Sequence, residues 1–289
     1  MAPHESLSYR DAITGKWQVR AFDNKYPALK PGGSTARREA HGFFLSMDGV
    51  GTHEVIVETP VYNQRLAGME VQGIERVLHA YRERYNTLRG RDSISAVVIF
   101  KNHGPSAGTS LIHSHSQLIA TPVIPPAMRL RRNVAQEYYD RTGCCLYLDI
   151  MKHECEAGSR ILHETKEFVV FHPFASKRPF ETWIMPKTRQ PSFGNATDHD
   201  LKCLADVLKR ALSTLDRGLN NPDYNYVVHS APPDEEDPRY FLWHLRIVPR
   251  LSTMAGFEIG SGICINPSAP EDTAEFIRGV STGDRSESI

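Results

Sequence analysis

The densest group of reactive side chains in the chain is Asn102-His-Gly-Pro-Ser-Ala-Gly-Thr-Ser-Leu-Ile-His113-Ser-His115-Ser-Gln117. Residues 104–110 are small, so the backbone there can approach a ligand closely, and successive N–H groups of such a loop are expected to form an anion nest. If 111–122 is a strand, residues 113, 115 and 117 point to one face. Two imidazoles and an amide then converge beside a phosphate-sized cradle. Three roles fit these residue types. A neutral imidazole can attack phosphorus and carry a covalent phosphoryl group, which splits one transfer into two. Two histidines can ligate a metal. The third reading is a polar strand face whose histidines are hydrogen-bonded and nothing more.

The elements that would position these groups follow from periodicity. HEVIVETP (53–60), SAVVIF (95–100) and LIHSHSQLIATP (111–122) read as strands. Val71, Ile74, Val77, Leu78, Tyr81, Tyr85 and Leu88 have helical spacing over 71–88. FVVFHPF, ETWIMP, YNYVVHS and FLWHLRIVP read as further strands, and 133–141 as a short helix. Residues 200–219 form the clearest helix, lined by Leu201, Leu204, Leu208, Leu212, Leu215 and Leu219, with Asp198 or Asp200 as its cap. Ser268-Ala-Pro-Glu271 opens one more, and the first forty residues read as irregular. The order strand, helix, strand, strand occurs twice. Pro60 and Pro186 are offset by 126 residues, Pro122 and Pro249 by 127. An internal duplication accounts for both. The expected fold class is α+β with mainly antiparallel sheets. The expected division is 1–140 and 141–280, with a disordered tail at 281–289.

Composition narrows the function classes. Among 289 residues, 34 Lys and Arg balance 34 Asp and Glu. That balance excludes a strongly basic nucleic-acid binder. No apolar run approaches the roughly 20 residues of a membrane span. The N-terminal residues lack the layout of a signal peptide. Five cysteines, at 144, 145, 155, 203 and 264, give no even framework and point to a reduced, cytoplasmic protein. Cys144 and Cys145 read as buried thiols, Arg129, Arg131 and Arg132 as a solvated helix face, and Asp234 to Asp237 as an exposed loop.

FKNHGPSAGTSLIHSHSQ resembles the active-site segment of the galactose-1-phosphate uridylyltransferase family, within the histidine-triad superfamily. The resemblance continues through DNKYPAL (23–29), PFETWIMPK (179–187), NYVVHSAP (225–232) and WHLRIVPRLSTMAGFEIGSGICINPSAPEDTA (243–274). It looks closest to the branch that includes plant ADP-glucose phosphorylases. It implies two tandem histidine-triad-like domains, the N-terminal one carrying the nucleophile. His115 matches the histidine that becomes nucleotidylated. Gln117 matches the glutamine that holds the phosphoryl oxygens; an amide donates hydrogen bonds but is no strong base toward water, which suits transfer over hydrolysis. Ser110, Asn102, Gly108 and Thr109 match the phosphate loop, Asn24, Lys25 and Tyr26 a segment bordering the nucleotide, and Phe257 and Glu258 a sugar-contacting segment that a partner subunit can supply.

The same resemblance bears on metals. Family members often hold zinc through an N-terminal Cys-x-x-Cys and two histidines. The histidine positions match His53 and His113, but the cysteine pair is absent, and the chain is expected to begin just after it. No metal is firmly expected; zinc stays open at the remnant His53/His113 site. A second, middle site keeps Cys144 but has Tyr147, Arg189 and Leu242 at its other positions. Glu181, His229 and His244 match three iron ligands of some members, with Arg246 in the fourth place, where a guanidinium donates only and repels a cation.

The expected activity is nucleotidyl transfer from a nucleoside diphosphate sugar through a covalent nucleotidyl-histidine, in the manner of a UDP-glucose:hexose-1-phosphate uridylyltransferase. The alternatives are an ADP-glucose phosphorylase, with phosphate as acceptor, and a non-catalytic binder of nucleotides or sugar phosphates. Gln117 counts against a hydrolase. A homodimer is expected, with no nucleic-acid or membrane partner.

Overall fold

Each half of the chain makes the same five-strand run, and the two runs join edge to edge. The computed structural model describes residues 5–233 and 238–282. The first half holds β1 (Glu5–Arg10), β2 (Trp17–Asp23), a small hairpin of β3 (Arg38–Ala40) and β4 (Phe44–Ser46), then β5 (Thr52–Val57), α1 (Val71–Arg89), β6 (Ala96–His103) and β7 (His115–Thr121). Two helices follow, α2 (Pro126–Thr142) and α3 (Leu146–Ala157). The second half holds β8 (Ile161–Glu164), β9 (Phe168–Phe171), β10 (Thr182–Pro186), α4 (Asp198–Gly218), β11 (Tyr224–His229), β12 (His244–Pro249), α5 (Gly256–Ser261) and α6 (Pro270–Thr282).

Ten strands form one sheet in the order β1-β2-β5-β7-β6-β11-β12-β10-β9-β8, and neighbouring strands pair antiparallel. Outward from the β6–β11 seam the order is the same in both directions if β5, β6 and β7 are matched with β10, β11 and β12. The duplication thus yields a continuous sheet, sealed where Tyr224 pairs with His103 and Val228 with Ile99. The division expected between 140 and 141 falls inside α2.

Strand alternation decides what each face carries. Ile56, Ile99 and Leu118 join Ile74, Leu78 and Tyr81 of α1 and Leu201, Leu204 and Leu208 of α4 in the main core. Phe168 and Val170 enter that core, whereas Val169 and Phe171 enter a second cluster with Ala135 of α2 and Tyr147 of α3. FVVF is therefore apolar throughout because helices cover both of its faces. In the first half, the face opposite α1 carries His53, His115 and Gln117.

Several local expectations change. The first forty residues contain β1 and β2, whose mixed composition hides their alternation. Thr197, not Asp198 or Asp200, caps α4: its hydroxyl accepts from the Asp200 N–H at 3.1 Å, and the Asp200 carboxylate accepts from the Thr197 N–H at 2.8 Å. The helix expected at 133–141 is longer, and α3 was not foreseen. Cys145 is buried but Cys144 is exposed. Strand β7 begins only at His115, so His113 precedes the ladder. Ser281 and Thr282 end α6; the rest of the expected tail and the acidic loop 234–237 lie outside the described residues. No described helix is long and apolar enough to cross a membrane.

Candidate active site

A cavity of about 450 Å³ opens beside the start of β7, lined by Asn102, Thr109, Ser110, His113 and His115 and by Arg65, His103 and Asp223. The loop from 104 to 110 forms its rim. Gly104 and Gly108 both have left-handed backbone, with φ of 83° and 87°. A Cβ on Gly104 would overlap the Asp223 carboxylate, so glycine is required there for two reasons. The loop is not an anion nest of free amides. Ser106 N–H donates to Asp223 Oδ2 at 2.6 Å, Ala107 and Thr109 N–H donate to the Gly104 carbonyl, and Gly108 N–H donates to Pro105. These bonds close a tight turn, and side chains are left to meet a phosphate. Asn225 Nδ2 donates to Asn102 Oδ1 at 2.8 Å and to the Ala107 carbonyl at 2.9 Å. Asn102 is thereby oriented with its own NH₂ turned away from Asn225.

His115 is 8% exposed. Its Nδ1 donates to the His113 carbonyl at 2.8 Å. A carbonyl can only accept, so the neutral ring carries its proton on Nδ1 and its lone pair on Nε2. His115 lines the cavity, and in the neutral ring this bond fixes its orientation.

Behind β7 lies a buried ionic cluster that sequence reading missed. Lys101 and Glu58 are each 1% exposed and pair at 2.6 Å. Lys101 Nζ also donates to Ser114 Oγ at 3.1 Å and to the His115 carbonyl at 3.0 Å. Glu58 accepts from Ser114 at 2.6 Å, from Tyr81 at 3.2 Å and from Ser116. Burial pushes the Glu58 carboxyl up, but the Lys101 ammonium and the two serine hydroxyls outweigh it and hold it below the usual carboxylate range. The only sequence signal was a Lys and a Glu at inward positions of apolar strands, where an unpaired charge would be very costly.

Gln117 follows His115 on the same face, and its Oε1 lies 2.8 Å from His53 Nε2. Asn24 approaches the same ring nitrogen, its Nδ2 3.1 Å from Nε2. Lys25 sits over the exposed Tyr26 ring at 5.4 Å, and neither lines the cavity. His53 and His113 do not form a pair. His53 is opposite Ile119, whereas His113 Nε2 donates to the Thr59 carbonyl at 2.6 Å. The two rings hold different partners, His53 the Gln117 carbonyl and the Ala28 N–H, His113 the Thr59 carbonyl. Tyr62 stands against His113 instead, with ring centroids 6.0 Å apart.

The second half carries the counterpart of His115 in a closed setting. His244 Nδ1 donates to the Leu242 carbonyl at 3.1 Å, as His115 does to His113. Its ring, however, is 1% exposed and stacked on Trp183 at 4.8 Å, and burial pushes it down to about 3. Arg246, at the counterpart of Gln117, pairs with Glu181 at 2.7 and 2.9 Å, and Glu181 also accepts from Trp183 Nε1. The carboxylate expected among iron ligands is thus held by a guanidinium. Of the middle-site positions, Tyr147 and Leu242 belong to the second apolar cluster. Among the described residues, the group of three potential ligands whose donor atoms lie close together is Glu167, His199 and Cys203, where His199 is already 3.3 Å from Glu167.

Phe257 and Glu258 are not part of this chain's cavity. Both belong to α5, in the segment expected to contact a sugar. Glu258 is buried, accepting from the Ala255 and Ile265 N–H groups at 3.1 Å and pairing with Arg178 at 3.2 Å. Phe257 is 59% exposed.

The galactose-1-phosphate uridyl transferase N-terminal domain matches residues 1–125, and the C-terminal domain of the same family matches residues 131–275. An ADP-glucose phosphorylase from Arabidopsis thaliana is 40% identical over 271 residues, covering 92% of this chain and 75% of that protein. A galactose-1-phosphate uridylyltransferase from Thermotoga maritima is 29% identical over 272 residues, covering 91% and 85%. The crystal structure of an ADP-glucose phosphorylase from Arabidopsis thaliana with bound ADP-glucose superposes with a TM-score of 0.84 at 37% identity, covering 95% of this chain and 85% of that one.

Proposed function

Because the chain belongs to the galactose-1-phosphate uridylyltransferase family, we propose that this nucleotidyltransferase works by double displacement on a nucleoside diphosphate sugar, with His115 as the nucleophile. The hydrogen bond from His115 Nδ1 to the His113 carbonyl carries the proposal, because it leaves the Nε2 lone pair at the cavity wall. Nε2 attacks the α-phosphorus, an N–P bond forms, and the bond to the sugar 1-phosphate breaks. The acceptor oxygen then displaces the imidazole and restores the free ring. Ser110 and the Asn102 amide donate to the phosphoryl oxygens as charge develops, and Gln117 does so from the strand. No side chain in this set is a strong base for water.

The higher identity to an ADP-glucose phosphorylase, 40% against 29% for the Thermotoga uridylyltransferase, favours adenylyl transfer from ADP-glucose to inorganic phosphate. Uridylyl transfer between hexose 1-phosphates is the second reading, supported by the family match. Intact-mass spectrometry after separate incubation with ADP-glucose and UDP-glucose tests both. An AMP adduct is expected; a UMP adduct alone would transfer the choice to the second reading, and no adduct with either would overturn the mechanism.

The reading includes a cytoplasmic homodimer. Five free thiols suit a reducing compartment. Exposed Phe257, Ile259 and Ile263 suit burial against a second copy. Light scattering should give the dimer mass. Mixing inactive His115→Gly chains with Phe257→Ala chains should restore activity above either alone. A monomer, or no recovery on mixing, rejects a shared site.

A further inference from the structure

We propose that His53 is a positioning residue that fixes the Gln117 side-chain amide with its NH₂ end toward the reacting phosphoryl group. This rests on the reading above, in which Gln117 meets that group. The argument begins at the backbone. Ala28 N–H points at His53 Nδ1 at 3.0 Å. An N–H can only donate, so Nδ1 accepts and the neutral ring carries its proton on Nε2. Nε2–H lies 2.8 Å from Gln117 Oε1 and donates to it. The opposite tautomer would let Asn24 Nδ2 donate to Nε2, but it would set Nδ1–H against Ala28 N–H. With Oε1 held, the Gln117 NH₂ group is directed away from His53 along the face that carries His115.

The arrangement is sheltered and spans the sheet. His53 is 8% exposed, and β5 pairs with β7 so that Val55 is opposite Gln117 and His53 is opposite Ile119. An amide free to flip would present its carbonyl oxygen to phosphoryl oxygens half of the time, which repels rather than stabilises the developing charge. Gln117, like His53, is not among the cavity-lining residues; it lies next to His115 on the same face of β7, and His53 acts on the site through it.

Wild type, His53→Ala, His53→Gln, Gln117→Ala and the double His53→Ala/Gln117→Ala variant should be compared for the single-turnover rate of nucleotidyl-enzyme formation from ADP-glucose and for its Kd. The expected result for His53→Ala is a rate loss of roughly tenfold, with Kd changed less than about threefold. His53→Gln, which keeps an N–H donor, recovers most of the loss. In the Gln117→Ala background, removing His53 costs less than about twofold further, as coupled residues require. Equal losses in both backgrounds, or a wild-type rate in His53→Ala, would overturn the inference. A second readout is independent of turnover. Nitrogen-15 spectra should show the Nε2–H tautomer at His53, and the Gln117 side-chain amide signal should shift in His53→Ala; a Nδ1–H tautomer rejects the proposal. Should wild type form no adduct while these spectra hold, the proposed function fails and the His53–Gln117 coupling stands.

Discussion

A His115→Gly variant should form no nucleotidyl adduct with ADP-glucose or UDP-glucose, and its turnover should fall by roughly 10⁴- to 10⁶-fold, the scale on which nucleophile removal acts. Nucleotide-sugar affinity should stay within about tenfold. The two quantities separate because, in the proposed reaction, His115 supplies the bond-forming lone pair, whereas the loop, Arg65 and the rest of the cavity lining stay in place. The substitution removes a ring whose backbone neighbours are tied elsewhere: Lys101 holds the His115 carbonyl, and β7 remains paired with β5 and β6. Intact mass measures the adduct and calorimetry the affinity. An adduct on another residue of the variant, located by peptide mapping, would reject His115 as the nucleophile.

Lys101→Met should destabilise the protein by about 3–5 kcal/mol, the usual cost of removing one partner from a buried ion pair. Glu58 would remain at the bottom of the sheet with only hydroxyl donors around it. Denaturant titration should show a lower midpoint with an unchanged slope. Its pH dependence separates a charge effect from a packing effect. In wild type the Glu58 carboxyl is held below its ordinary value, so its contribution is present above the unfolded carboxyl pKa and lost as pH falls through the lower, folded one. In the variant, burial without the ammonium raises the carboxyl, and protonation relieves the stranded charge. The gap between the two proteins should therefore narrow from pH 7 toward pH 4. A gap that is constant with pH would mean that lost packing, not the stranded charge, sets the cost. Adding Glu58→Gln to Lys101→Met should recover part of the loss, since no net charge is then buried.

The amino-acid sequence alone determined the elements with strong periodicity. Val71 to Leu88 and Leu201 to Leu215 repeat at helical spacing whatever they pack against, and Pro60, Pro122, Pro186 and Pro249 mark the duplication without any contact being known. It also put His115, Asn102 and Ser110 within fourteen residues of one another, and one loop brings them to the same cavity. Tertiary structure decided the rest, because the deciding groups are far apart in sequence. Asp223 and Asn225 come from the other half across the β6–β11 seam; Asp223 takes the Ser106 N–H that a local reading leaves free, and Asn225 holds the Ala107 carbonyl. His53 and His113 look like partners only until the fold gives them separate ones, Gln117 and Ala28 for the first and Thr59 for the second. His115 and His244 sit in matching local frames; the second is covered by Trp183 and Tyr147, which only packing brings to it. Lys101 and Glu58, 43 residues apart, are a liability in the strand pattern until the fold makes each the other's counter-ion.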